Sequence, residues 1–109
     1  METVKEYLID ARDRIADPKN HCQGYAVINA SGEPCGYDDE AVQWCLFGTM
    51  RQTQHHNSEV DFSLFDEGRD LIVRSVYELG YSSRVEANDI GGHSVVMKVF
   101  DIAIERAEG

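Results

Sequence analysis

The stretch DDEAVQWCLFGTMRQ, residues 38–52, decides the fold that the sequence predicts. It opens with three acids, becomes apolar on more than one side, and contains the only tryptophan, Trp44. Acids favour the first turn of a helix, because they face its free amide N–H groups and the positive end of its dipole. A helix that is apolar on more than one face is usually covered by several neighbours. We therefore predict a central helix over residues 38–52.

Three further helices follow from apolar residues at spacings of three and four. They are predicted over residues 3–16, 63–79 and about 93–107, and Gly80 is expected to end the helix over 63–79. Between the first helix and the central one, a β-prone run over 25–28, a turn over 29–32 and a return over 33–37 predict a small hairpin or an ordered loop. The predicted fold class is mainly α (α+β). It is a compact irregular four-helix domain with one small β-hairpin between helices 1 and 2.

Composition and charge limit the classes of protein to which this chain could belong. The chain has 109 residues, of which 42% are hydrophobic, so we predict a single globular domain over 1–109. Its net charge of −10 repels nucleic acid and could attract a basic protein surface, or could serve only solubility. We find no secretory signal and no run of membrane-spanning length, and expect a cytoplasmic protein without membrane contact.

The cysteines and histidines do not follow a metal-binding pattern. Cys22, Cys35 and Cys45 are expected to be reduced thiols, and a bond between Cys22 and Cys35 is conceivable only in an oxidising compartment. The four histidines lack the spacing of a zinc site. No cofactor and no metal is therefore predicted.

The order of features resembles a known family. Its marks are Asn29-Ala30-Ser31-Gly32-Glu33-Pro34, then Ala41-Val42-Gln43-Trp44-Cys45-Leu46-Phe47-Gly48, Asn88-Asp89, and Phe100-Asp101-Ile102-Ala103-Ile104. They are similar to an uncharacterised family of small bacterial and phage-encoded proteins, a domain of unknown function, with an aromatic-Cys-x-x-Gly core helix and an Asn-Asp loop before the last helix. This chain departs from it at Thr49-Met50, where the family often has Ala-Leu, and in a shortened segment after Asp89. The resemblance implies a phage or prophage accessory protein and no catalytic residues.

The Trp44-Cys45 pair allows two interpretations. A nucleophilic Cys45 would need a lowered thiol pKa, whereas a position more than one turn into an apolar helix raises it. We favour packing and predict a structural role for four residues, Trp44, Cys45, Phe47 and Phe100. Gly48 is best explained by the close approach of another backbone.

The loop Asn88-Asp89-Ile90-Gly91-Gly92-His93 is a second constellation. Free N–H groups at a Gly-Gly helix start could bind an anion. The favoured alternative is a capping turn, in which Asn88 and Asp89 bond their own backbone and the glycines adopt positive φ. Asn88, Asp89 and His93 are kept as a loop that could carry function.

Acidic residues in the middle of the chain could form a negative protein-binding surface, with Tyr37 and Phe62 as aromatic anchors. The predicted binding residues are Tyr37, Asp38, Asp39, Glu40, Glu59, Asp61 and Phe62. The first hypothesis is an accessory protein that binds a basic partner, for instance to inhibit a host nucleic-acid-binding protein. The second, less expected, is a small enzyme or metal-binding protein using Cys45, His93 and Asp89. The third is a self-assembling structural component, so a homo-oligomer stays open.

Overall fold

The computed structural model describes residues 3–38 and 40–107, so Asp39 of the predicted binding residues lies outside the described part. The elements, in chain order, are α1 (Val4–Arg14), β1 (Val27–Asn29), β2 (Ala41–Trp44), α2 (Leu46–His56), α3 (Phe62–Glu78), the short α4 (Arg84–Glu86) and α5 (Gly92–Arg106). A 3-10 turn, Pro18–Asn20, follows α1, and a π-helical turn, Ala87–Gly91, joins α4 to α5. The predicted fold class, four helices with a small antiparallel hairpin between the first two, is confirmed.

Local sequence signals set the ends of two helices. At the start of α1, Thr3 and Glu6 form a reciprocal capping box that satisfies two free N–H groups. At the start of α3, the Asp61 side chain accepts the N–H of Leu64 at 2.8 Å. The same helix ends as predicted at Gly80, whose φ of +90° allows the chain to turn back.

The predicted central helix over 38–52 is wrong in its first half. Ala41–Trp44 forms β2, which pairs antiparallel with β1 and places Trp44 opposite Val27. Cys45 has an extended backbone (φ −82°, ψ −178°), so α2 begins only at Leu46. A short apolar run with β-branched and aromatic residues fits a strand as well as a buried helix, and here pairing with β1 decides. Asp38 does not cap a helix, since its side chain accepts the N–H of Glu40 in a turn.

The partner of β1 also differs from the predicted hairpin. The return over 33–37 contributes one bridge, between Ile28 and Pro34, in which the Asn29 N–H donates to the Glu33 carbonyl (2.9 Å) and the Cys35 N–H donates to the Val27 carbonyl (3.3 Å). Proline lacks the N–H that a regular ladder needs, so the main pairing of β1 passes to β2. In addition, α2 extends to His56, beyond the predicted end at residue 52.

The core lies between α1, α2, α3 and α5. Its largest fully buried side chains include Tyr7, Leu8, Ile15, Leu46, Met50, Ile72 and Phe100. Polar ties fix α1 on α2, because the Tyr7 hydroxyl donates to the Met50 carbonyl (2.9 Å) and the Thr49 hydroxyl donates to the Ala11 carbonyl (2.6 Å). Trp44 and Phe47 are only partly buried against this core. In the described part of the chain, no helix combines the length and apolarity that crossing a membrane requires.

Gly48 of α2 lies against Ala26, the residue just before β1. A Cβ at this position would overlap the carbonyl group of Ala26, lying 2.9 Å from its carbon. The adjacent Cys45 N–H donates to that same carbonyl at 3.0 Å. The predicted close approach of another backbone is therefore confirmed, because only glycine leaves room for the Ala26 carbonyl at this position.

Candidate functional site

Three of the predicted binding residues lie around one surface groove, which we call the Phe62 groove. Its lining residues are Tyr37, Arg51, Gln54, His55, Val60, Asp61 and Phe62, and its volume is about 460 Å³. Phe62 is 77% exposed, the highest value among the large apolar side chains of the described residues. An exposed aromatic residue beside a groove is typical of an interaction surface, because its burial is still available to a partner.

Several acids lie close in sequence to residues that line the Phe62 groove. Asp38, Glu40, Glu59 and Asp61 are exposed, and none of the four forms an ion pair within the described residues. Arg51 opposes them, but its guanidinium lies over the rings of Phe65 (5.3 Å) and Phe47 (6.0 Å).

Acids further along α3 are engaged elsewhere, since Asp66 pairs with Arg69 and Asp70 pairs with Arg74. Within the described part of the chain, Asp61 is therefore the one carboxylate without an ion pair among the residues that line the groove.

Asn88 occupies the centre of a polar junction. Its side chain is buried (2% exposed) and makes four hydrogen bonds. The Oδ1 atom accepts the Leu46 N–H at 2.9 Å and lies 2.7 Å from His21 Nε2. The Nδ2 atom donates to the Cys22 carbonyl at 3.0 Å and to Asp89 Oδ1 at 2.9 Å. One amide side chain thus caps α2 and joins it to residues 21–24 and to the π-helical turn.

Asp89 completes this junction. Its carboxylate also accepts the Gly24 N–H at 2.9 Å, and Gln23 Nε2 donates to the carbonyls of Asn88 (3.1 Å) and Asp89 (3.0 Å). Hydrogen bonds from Asn88 and Gly24 lower the pKa of Asp89.

The prediction that Asn88 and Asp89 bond their own backbone is therefore wrong. Both side chains bond backbone groups that are distant in sequence. Only Gly92 of the two glycines has a positive φ, +78°.

His93 lies beside His21. The two rings are 5.5 Å apart, and His93 Nε2 lies 2.7 Å from the Ile15 carbonyl. Because the carbonyl and amide oxygens only accept, Nε2 of each ring must carry the hydrogen. Burial lowers the pKa of His21, the hydrogen bond that His21 donates to Asn88 opposes this shift, and the proximity of His93 lowers the pKa further. His93 therefore connects the start of α5 to the end of α1, and His21 connects the 21–24 segment to Asn88.

Cys45 is the N-cap residue of α2, and not a residue inside a helix as predicted. Its Sγ accepts the Gly48 N–H at 3.2 Å. Burial nevertheless raises the pKa of the Cys45 thiol, and burial raises that of Cys22 to about 12. A neutral thiol is a poor nucleophile, which argues against the enzymatic hypothesis. Asp89 lines the same pocket as Cys45, but His93 is not among the residues of that pocket.

Cys22, Cys35 and Cys45 are all free, so the structure contains no disulfide between Cys22 and Cys35. Among residues 3–38 and 40–107, no group of three or more His, Cys, Asp or Glu side chains is arranged to hold a metal ion.

A family model described as "Family of unknown function (DUF6197)" matches residues 1–106. The chain belongs to this family. Comparisons with the curated proteins and with the solved structures found no match. The predicted membership in a family of unknown function is thus confirmed, whereas bacterial or phage origin stays a prediction.

Two features of this site were missed in the sequence. The capping of α2 by Asn88 joins residues 42 positions apart, and the bond to Cys22 spans 66 positions. Arg84, which lies over the Phe47 ring at 4.6 Å, was not singled out either. No local pattern marks such pairs, because an Asn or Arg in a polar connector is ordinary.

Proposed function

We propose that this protein is a small binding protein that engages a basic segment of a partner protein through the Phe62 groove. The observation that carries the proposal is a groove lined by a 77% exposed Phe62, by Tyr37 and by Asp61, whose carboxylate has no cationic partner in the described residues. Such a surface offers an apolar anchor and a negative rim together.

The chemistry of the groove selects the occupant. An apolar side chain of the partner inserts between Tyr37 and Phe62, where burial of an aromatic ring stabilises a complex by about 1.5–3 kcal/mol. Lys or Arg residues on either side of it meet Asp38, Glu40 and Glu59. The formal charge of −10 adds long-range attraction, which is screened beyond about 10 Å at 0.1 M salt. Binding is therefore strongest at low ionic strength.

The biological setting that we propose is that of a phage or prophage accessory factor. The motivation is the small size, the acidic charge and the resemblance to phage-encoded proteins. In that setting a basic host protein, such as one that binds nucleic acid, is the partner, and occupation of its basic surface inhibits it by competing with phosphate groups.

The test is a titration of the ¹⁵N-labelled protein with the peptide Lys-Arg-Leu-Arg-Lys, followed by NMR. We expect shifts that cluster at Tyr37, Arg51 and Phe62 and that weaken as salt is added. Phe62→Ser should weaken binding about tenfold. Tyr77→Ser is the matched control, because Tyr77 is also an exposed aromatic residue of α3 (59%) but does not line the groove.

Two results would contradict the proposal. One is a set of shifts spread evenly over the acidic surface, which would indicate diffuse charge attraction. The other is an equal loss of affinity in Phe62→Ser and Tyr77→Ser, which would show that the groove is not the binding site.

A further inference from the structure

A second pocket lies between residues 24–26, the start of α2 and α4. We call it the Arg84 pocket. Its lining residues include Gly24, Tyr25, Phe47, Arg84, Val85 and Asp89, and its volume is about 290 Å³. It shares no lining residue with the Phe62 groove. The volume is near the lower end of the range for small-molecule sites, roughly 300–1,000 Å³.

The walls of the Arg84 pocket are mainly apolar. Phe47 forms one wall, and Tyr25 and Val85 are 53% and 69% exposed. Large apolar side chains that stay exposed around a concavity have surface area available to bury against a ligand. The apolar part of a ligand therefore has three side chains to contact.

Arg84 is the unusual member of the pocket. Its guanidinium lies over the Phe47 ring at 4.6 Å, and its buried Nη1 has no hydrogen-bond partner among the described residues. Arg84 forms no ion pair with the described residues, although four other arginines pair with acids: Arg12, Arg69, Arg74 and Arg106. Arg14 Nε is also buried without a partner in the described residues, but Arg14 does not line this pocket. Arg84 therefore brings to the pocket a positive charge that no carboxylate of the described residues neutralises.

The opposite side of the pocket sets the orientation of a ligand. Asp89 lines it, but that carboxylate already accepts N–H groups from Gly24 and Asn88. Hydrogen bonds that hold an ionised carboxylate leave its negative charge in place, and this charge repels a second anion. An anionic ligand is therefore expected to direct its charge toward Arg84 and away from Asp89.

We propose that the Arg84 pocket binds a small organic carboxylate with an aromatic or branched apolar body. The body packs between Tyr25, Phe47 and Val85, and the carboxylate accepts hydrogen bonds from the guanidinium of Arg84. Arginine suits this role, because its planar donors match both oxygens of a carboxylate while its face stacks on an aromatic ring.

The probe pair for the test is indole-3-acetate and its neutral counterpart indole-3-acetamide. Each is titrated into the ¹⁵N-labelled full chain, and backbone amide shifts are followed by NMR. We expect shifts at Gly24, Phe47 and Val85, with the amide binding about tenfold more weakly than the carboxylate. Phe62→Ser should leave this binding unchanged, so the result is independent of the Phe62 groove.

Variants separate the charge from the pocket. Arg84→Gln should abolish the preference for the carboxylate, whereas Arg74→Gln, which removes an exposed ion-paired arginine, should preserve it. Val85→Glu places a carboxylate on an exposed wall residue and should abolish binding of both probes even if Arg84→Gln does not fold. Equal affinities for both probes, an unchanged preference in Arg84→Gln, shifts outside the pocket, or no shifts with either probe at its solubility limit would each overturn the proposal.

Discussion

Replacement of Asn88 by alanine tests the polar junction directly. The Asn88→Ala variant removes a buried side chain with four hydrogen bonds, two of them to buried backbone groups, the N–H of Leu46 and the carbonyl of Cys22. A buried backbone group left without a partner costs about 1–3 kcal/mol. Two such groups give an expected loss of about 3 kcal/mol in the free energy of unfolding. A domain of typical stability, about 5–15 kcal/mol, stays folded after this loss.

The measurement is equilibrium unfolding in urea, with amide hydrogen exchange of Leu46 in the same samples. We expect the midpoint to fall with little change in slope, and the Leu46 amide to exchange faster than its helix neighbours. Asn20→Ala is the control, because Asn20 makes one side-chain bond, to the Arg14 carbonyl at 3.3 Å, and should cost about 1 kcal/mol or less. A loss below about 1 kcal/mol in Asn88→Ala, or an unchanged Leu46 amide, would refute the assigned capping of α2.

Two further predictions concern packing and pH. Gly48→Ala should cost about 3 kcal/mol in urea unfolding, because its Cβ would overlap the Ala26 carbonyl; Gly36→Ala, where the Cβ has ordinary contacts, should cost little. Since the pKa of His21 is lowered in the folded state, the unfolded state binds more protons below about pH 6.5, and stability should fall as pH decreases through that region. His21→Gln, which keeps an N–H donor for Asn88, should flatten this dependence in unfolding curves measured from about pH 7.5 to 5.5; an unchanged slope would assign the effect to other groups.

The residues 41–45 show why the sequence predicts the helices better than the strands. The helices α1, α3 and α5 carry long periodic patterns and caps, such as Thr3 and Gly80, that act within a few residues. β2 has four residues, too few for its period to be distinguished from that of a buried helix. What makes it a strand is its pairing with Val27–Asn29, which lies in another part of the chain.

The two candidate sites also differ in how far the sequence predicts them. Tyr37 and Phe62 could be chosen from the sequence, because aromatic residues among acids in polar connectors are unusual and the connectors place them at the surface. Their meeting in one groove depends on how α2 and α3 pack, which the pattern does not contain. Arg84 gives no signal at all in the sequence. Its interest comes only from the Phe47 ring beneath it and from the absence of a carboxylate partner in the described residues.

The Trp44-Cys45-x-x-Gly48 motif has a structural account at each of its three positions. Trp44 donates from Nε1 to the buried Gln52 at 2.9 Å, Cys45 caps α2, and Gly48 admits the Ala26 carbonyl. Together they form a joint between β2 and α2, where a central helix was predicted. Residues held by such constraints have little freedom to adapt to a ligand. Phe62 is largely exposed, and Arg84 has no ion pair within the described residues, so neither side chain belongs to this set of contacts. Substitutions at Trp44, Cys45 or Gly48 should therefore alter stability before they alter binding at either proposed surface.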